Sequence, residues 1–464
     1  MLKWSSYGRE PLSLGAAVRF GRLPLPPLLI ESLKAEMTEP FDIIIRRARL
    51  RAHPTRLTEV GIKDDRIAIV SEHIDGEGAA DVDAKGNLVT EAFVNPHLRL
   101  CKVWTLPMME EDALKAYQRD NMRAALTAIE LAAAIKEKYA EAWIVENARR
   151  AVALAVLYGC LHIRAFADVD TKARLEGVKA LLRIRKEFSG IIDIQVVAFA
   201  QEGIVREPGA ADLLRHAMEL GADVVGGIPW IEATNADAAT HVRTCFELAR
   251  DFNKDVSILL DDAGDPKLRT LEMMAVEAAK RGWQGRALAH HCRAMSLYSK
   301  EYMQRLIGIL RRANIAVVTD PHTGPLHARV KELLAADIRV CLGQDDISDA
   351  YYTYGRNNML EVAFLASHLL WMMTRNEVSK LYDMITVDAA AAIGLADYGL
   401  TPGCRANLVV LNHSDTVDAL RFHDAPAYVI SNGQILDLAG VRKMASTEKG
   451  DWGGPVTIPP LQDH

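Results

Sequence analysis

The chain has 464 residues, 50% of them hydrophobic and 25% charged, a composition that builds a large core and excludes a disordered chain. Its 55 Lys plus Arg against 61 Asp plus Glu leave a formal charge of -6, with no block of like charges, which argues against a nucleic-acid partner and against an anionic membrane surface. The six cysteines, Cys101, Cys160, Cys245, Cys292, Cys341 and Cys404, lie far apart with no CxxC pair. They read as reduced thiols of a cytoplasmic protein, and no apolar run approaches the roughly 18 to 20 residues that cross a bilayer.

Residues 1–40 read as an N-terminal arm. Arg9, Arg19 and Arg22 fit a transit peptide loosely, but Pro24, Pro26 and Pro27 break any long helix. The alternatives are an ordered arm on a partner subunit, or a start placed too early with Met37 as the true one. From Phe41 the pattern changes to short strands over 41–46, 59–62 and 66–70, with Asp64, Asp65 and Gly76 to Gly78 at the turns. Residues 41–90 and 401–445 are assigned together to a composite β module.

Between them, over 91–400, apolar β-branched runs alternate with helical stretches. The runs at 94–98, 159–166, 194–199, 222–228, 255–260, 286–289, 315–318 and 338–342 recur, after a longer first gap, at roughly 30-residue intervals. Segments such as 211–220 and 271–281 carry the helical period between them. Eight buried parallel strands with crossover helices predict a (β/α)8 barrel, flanked by a small β-sandwich module. In such a barrel the active site gathers at the C-terminal strand ends. The polar residues placed there are His97, Arg99, His162, Arg164, Gln201, Trp230, Glu232, Asp261, Asp262, His290, His291, Asp320, His322, Asp345 and Asp346.

Several ordered motifs sharpen this. They are Phe199-Ala-Gln201-Glu-Gly-Ile204, Gly226-Gly-Ile-Pro229, Asp261-Asp-Ala-Gly-Asp265-Pro266, Ala289-His-His291-Cys-Arg-Ala-Met295, Gly343-Gln-Asp345-Asp346 and the closing segment from Pro402 to Leu411. On them the chain resembles the amidohydrolase superfamily, in its cytosine deaminase-like branch, which includes triazine amine hydrolases. The resemblance implies one zinc or iron ion held by a His-x-His pair on the first strand, a His on the fifth and an Asp on the eighth. Here the first motif reads Asn95-Pro-His97-Leu-Arg99, and the fifth strand ends Leu259-Leu-Asp261-Asp262. Only His97 and Asp345 remain of the four ligands, fewer than the three protein ligands of a catalytic zinc, and Arg99 cannot lose its charge. The expectation is a site without metal; a divalent ion at His97 and Asp345, with Asp262, His290 or Cys101 as substitute ligands, is the alternative.

The resemblance makes Gln201 and Asp346 substrate-binding; Trp230 and Phe166 stand where the family has histidines, and with Tyr351 and Tyr352 they offer flat surface on which a heteroaromatic substrate can stack. Phe166 and Trp230 equally suit the filling of barrel volume. The reading that follows is a hydrolase of a C–N or other leaving-group bond on a small N-heterocyclic or amide substrate. Asp345 is expected as general base, Arg99 and His291 as electrostatic partners of the developing anion, and Asp262 as proton shuttle, with His97 beside them. A catalytically inactive homologue that binds a ligand or serves as a partner subunit is the competing class, and a homo-oligomer is expected. His162 and Arg164 are read as an ion pair with Asp168 or Asp345 as readily as a catalytic element.

Overall fold

The computed structural model describes residues 40–108 and 112–446, so the expected N-terminal arm lies outside the described residues but for Pro40. Five strands come first: β1 (Ile43–Leu50), β2 (His53–Lys63), β3 (Arg66–Ser71), β4 (Ala80–Asp83) and β5 (Val89–Glu91). Eight more alternate with helices: β6 (Phe93–Leu98), β7 (Cys160–Asp168), β8 (Asp193–Phe199), β9 (Val224–Gly227), β10 (Asp255–Leu260), β11 (Ala287–His291), β12 (Ala316–Thr319) and β13 (Val340–Leu342). The set ends with β14 (Leu408–Val410), β15 (Tyr428–Ser431) and β16 (Gln434–Ile435).

Strands β6 to β13 form one sheet in sequence order, every neighbour parallel. A bridge between Leu98 and Asp345 joins its two edges. There the Arg99 amide donates to the Asp345 carbonyl at 2.7 Å and the Asp345 amide to the His97 carbonyl at 2.9 Å. The sheet is therefore the predicted (β/α)8 barrel, and it closes at the residues the motifs single out. Gly343 permits that closure, because a Cβ on it would sit 2.7 Å from His97 Cβ. Pro96 has no N–H to give the ladder, and the β6–β7 register shifts between Asn95 and Leu98. Helices such as Glu141–Leu157 and Lys300–Ala313 bury their apolar faces on the outside of the barrel.

The flanking segments make two four-stranded sheets, β3-β2-β1-β4 and β16-β15-β14-β5. Ile45, Val60, Ile62, Val89, Leu408, Val410 and Ile430 from both sheets share one buried core, the β-sandwich the sequence predicts. All six cysteines are free thiols, five of them buried. Among the described residues, no helix is long and apolar enough to cross a membrane.

Candidate active site

Strand ends that turn sharply bring the site together. His291, Asp345 and Asp261 take left-handed backbone conformations, with φ of 66°, 63° and 48°, which is uncommon for side chains of this kind and swings them out of the strand direction. Of the three, Asp261 points away from the chemistry. It accepts from the Thr270 amide (2.8 Å), the Thr270 hydroxyl (2.6 Å) and the Tyr298 hydroxyl (2.6 Å), tying the strand end to the following helix.

Arg293, a residue the motif contained but the sequence reading did not single out, is the hub. Its Nε donates to Asp262 Oδ1 at 2.8 Å, and its other nitrogens to Asp320 Oδ2 (2.5 Å), Thr323 Oγ1 (2.5 Å) and the Leu326 carbonyl (3.0 Å). Asp345 Oδ2 lies 3.7 Å from it and 3.0 Å from the Thr323 hydroxyl. Asp345 Oδ1 is 2.9 Å from His97 Nε2. His291 Nδ1 is bound to Asp320 Oδ1 at 2.9 Å, while its Nε2 stands 4.0 Å from Asp262 Oδ2, too far for a hydrogen bond.

Charge balance follows from these distances. Burial pulls His97 down to about 4 despite Asp345, so it is neutral; its Nε2–H donates and its Nδ1 has no hydrogen-bond partner among the described residues. Burial would lower His291 too, but Asp262, Asp320 and Asp345 overcome it and raise the imidazole to about 9. Against the upward push of burial, His291 and His97 hold the Asp345 carboxyl well below the usual range. Burial raises Asp262, and raises Asp346 strongly, with Asp345 and Asp349 adding to it.

Arg99 turns to the opposite wall. Its Nη2 donates to Asp168 Oδ1 at 3.1 Å and to Gln201 Oε1, and the guanidinium lies over the Phe199 ring. Gln201 Nε2 donates to the Tyr351 hydroxyl at 3.0 Å. Lys102, also missed in the sequence, sits over the Tyr351 ring with Asp346 and Asp349 at 3.4 and 3.3 Å. Glu232 accepts from the backbone amides of Ile204, Val205 and Arg206 and from His241. Those contacts outweigh burial and pull it to about 2, so Glu232 fixes the loop that carries Gln201.

One cavity of about 20 Å³ joins these walls. Arg99, Gln201, Trp230, Asp262, His291, Asp345, Asp346 and Tyr351 line it, with Leu259 on its floor. Tyr117, Ala125 and Ile129, from Asp112–Gln118 and Ala125–Ala132, roof it over. Two expected residues stay out of the lining. His97 lies behind Asp345, and Phe166, expected at the substrate, packs instead on His97, His290 and Phe199 at ring distances of 4.4, 5.1 and 5.4 Å. Tyr352 faces His322 and Tyr354. His162 is 3.2 Å from Asp193, and Arg164 reaches Gln195, Ser257 and the Ile393 carbonyl; neither pairs with Asp168 or Asp345. Asp168 is held by Arg99 and Lys136 instead.

His97, His291 and Asp345 each offer a ligand atom, and these atoms lie within 4.8 Å of one another. Two imidazoles and a carboxylate match in number and kind the protein ligands of a catalytic zinc, so the donor set fits one divalent ion with His291 as the third ligand. Arg99 and Leu259 contribute nothing to it.

The model of a family described as the amidohydrolase family matches residues 81–437. The chain belongs to the amidohydrolase family. It is 30% identical over 417 residues to N-isopropylammelide isopropyl amidohydrolase of Pseudomonas sp. (strain ADP), covering 86% of this chain and 98% of that one. The structure of 5-methylcytosine deaminase from Klebsiella pneumoniae, liganded with 5-fluorocytosine, is 30% identical with a TM-score of 0.77, over 85% of this chain and 97% of that one. Triazine hydrolase from Arthrobacter aurescens, 18% identical with a TM-score of 0.63 over 87% and 99%, shares the fold.

Proposed function

We propose that this amidohydrolase cleaves a C–N bond, or another bond to a leaving group, on a small N-heterocyclic or amide substrate. The observation that carries the reading is the enclosed cavity at the C-terminal strand ends, where Asp262, His291 and Asp345 meet Trp230 and Gln201. The relatives acting on N-isopropylammelide and 5-methylcytosine support the substrate class.

The chain's own groups suffice for hydrolysis. Asp262 takes a proton from water through Oδ2, which stands 4.0 Å from His291 Nε2 while Oδ1 accepts from Arg293. The water oxygen bonds to the ring carbon while cationic His291 donates to the ring nitrogen or carbonyl that gains charge. Asp262 then passes the proton to the leaving nitrogen as the C–N bond breaks. This gives Asp262 the base role expected of Asp345, because a carboxylate held far below its usual range by two histidines is a poor proton acceptor. Asp345 instead holds His97 and keeps His291 charged.

The convergence of His97, His291 and Asp345 favours a second reading, a metal-dependent amidohydrolase with a substituted ligand. A divalent ion held there would supply Lewis-acid activation of water. Both readings are tested by amine release from cytosine, 5-methylcytosine and N-isopropylammelide, with metal analysis of the same protein. Turnover that survives chelation, at well under one metal per chain, supports the first reading. Turnover that follows a stoichiometric ion supports the second, and no turnover of any of the three overturns the proposed class.

A further inference from the structure

Among the donors of the cavity wall is a buried indole N–H for which the described residues provide no acceptor. Trp230 is 9% exposed, lines the cavity, and its Nε1 is buried without a hydrogen-bond partner among the described residues. An indole N–H can only donate, and buried donors are as a rule satisfied. The residue is also held in place. It follows Pro229 in the short helix Pro229–Ile231, and the next residue is Glu232, whose carboxylate is locked by His241 and three backbone amides. Volume filling alone is served equally by a phenyl ring and gives no reason for this nitrogen.

The opposite wall sets the contrast. Gln201 is the residue to which family resemblance gives the substrate's amide edge, yet its carbonyl oxygen is taken by Arg99 and one of its N–H groups by Tyr351. Gln201 therefore keeps a single N–H for the substrate, and the Trp230 indole adds a second, fixed donor beside it. Asp346 Oδ1, likewise buried on the cavity wall without a hydrogen-bond partner among the described residues and 3.4 Å from Lys102 Nζ, is the complementary polar atom.

We propose that Trp230 is a specificity-determining residue whose indole N–H donates to an oxo group or pyridine-type ring nitrogen of the substrate, restricting the enzyme to heterocycles that present such an acceptor. This rests on the proposed function and names the substrate edge the site reads. A pocket built to donate a hydrogen bond rejects ligands that cannot accept it, because the donor is then left buried and unmet.

The test uses the full chain labelled with 15N-tryptophan and titrated with 5-fluorocytosine, 5-methylcytosine and N-isopropylammelide. The chain holds seven tryptophans, and the Trp230 indole signal is assigned as the one missing from Trp230→Phe, or from Trp230→Tyr should the first variant not fold. The expected result is a downfield shift of that indole proton on saturation, with binding weakened roughly three- to tenfold in Trp230→Phe, the worth of one neutral hydrogen bond. A merely structural Trp230 would leave the indole shift unchanged. If one of the probes binds the wild-type chain but the indole signal stays and Trp230→Phe binds within twofold, the inference falls while the proposed function stands. If none of the three binds or is hydrolysed, both fall together.

Discussion

Removing the Arg293 guanidinium would leave Asp262 and Asp320 without their fixed cation and Asp345 facing them across a few ångströms. Breaking a buried ion network by deleting one partner costs about 3–5 kcal/mol, so Arg293→Met should unfold in urea with a stability loss of that size. A loss below about 1 kcal/mol would contradict the hub role. The carboxylates beside it separate in their kinetics. Asp262→Asn removes the proposed base and should lower turnover by roughly 100- to 10,000-fold across the pH range. Asp345→Asn removes one of the three anions that hold His291 near 9, so it should move the alkaline limb of the rate profile to lower pH. If Asp345→Asn gave the pH-independent loss and Asp262→Asn did not, the two roles would have to be exchanged. The motifs showed His291, Asp262 and Asp345 because strand ends are local in sequence. Arg293 stood in the same motif unnoticed, since its function comes from Asp262, Asp320 and Thr323, which two other strand ends, those of β10 and β12, supply.

The roof is the element that decides access. A cavity of about 20 Å³ holds about one water, whereas an apolar cavity that takes up benzene measures about 150 Å³. Substrate entry therefore requires Asp112–Gln118 and Ala125–Ala132 to move off the barrel mouth. Their apolar residues Ala113, Tyr117, Ala125, Ala128 and Ile129, with Met122 from the turn between them, pack with Trp230, Ile228, Leu259 and Tyr351 in a cluster separate from the main core, and that separation suits local opening. Amide exchange over residues 113–132 should be faster than over the barrel strands and should slow when a substrate analogue fills the cavity. Equal protection with and without ligand would mean that access follows another route. This roof was not legible in the sequence beyond a longer gap between the first two barrel strands, because a short Ala-rich helix carries little periodic signal. The barrel strands were legible as buried, mostly β-branched runs, and β10 begins and ends at the residues expected. Strands of three or four residues such as β4 and β5 are too short for alternation to show.

At the scale of the whole molecule, two imidazoles perturbed in opposite directions shape stability against pH. The unfolded chain titrates both near the ordinary histidine value of about 6.5. His291, raised to about 9 by Asp262, Asp320 and Asp345, gives stability that is fully present below about 6.5 and is lost as pH rises through 9. His97, lowered to about 4 by burial, gives stability that is present above about 6.5 and is lost as pH falls through 4. Together they predict a melting temperature that peaks near pH 6.5 and declines on both sides. The alkaline decline belongs to one side chain and can be isolated. His291→Gln keeps a donor toward Asp320 but cannot titrate, so its melting temperature should be lower at pH 6.5, approach that of the parent chain by pH 9, and show a flatter alkaline limb. An ion bound to His291 would compete with its proton, and the parent's alkaline decline would then be shallower in metal-loaded protein than after chelation. Thermal melts of parent and His291→Gln from pH 4 to 9, each with and without chelator, read these effects. An alkaline decline equally steep in both chains would assign it to groups other than His291.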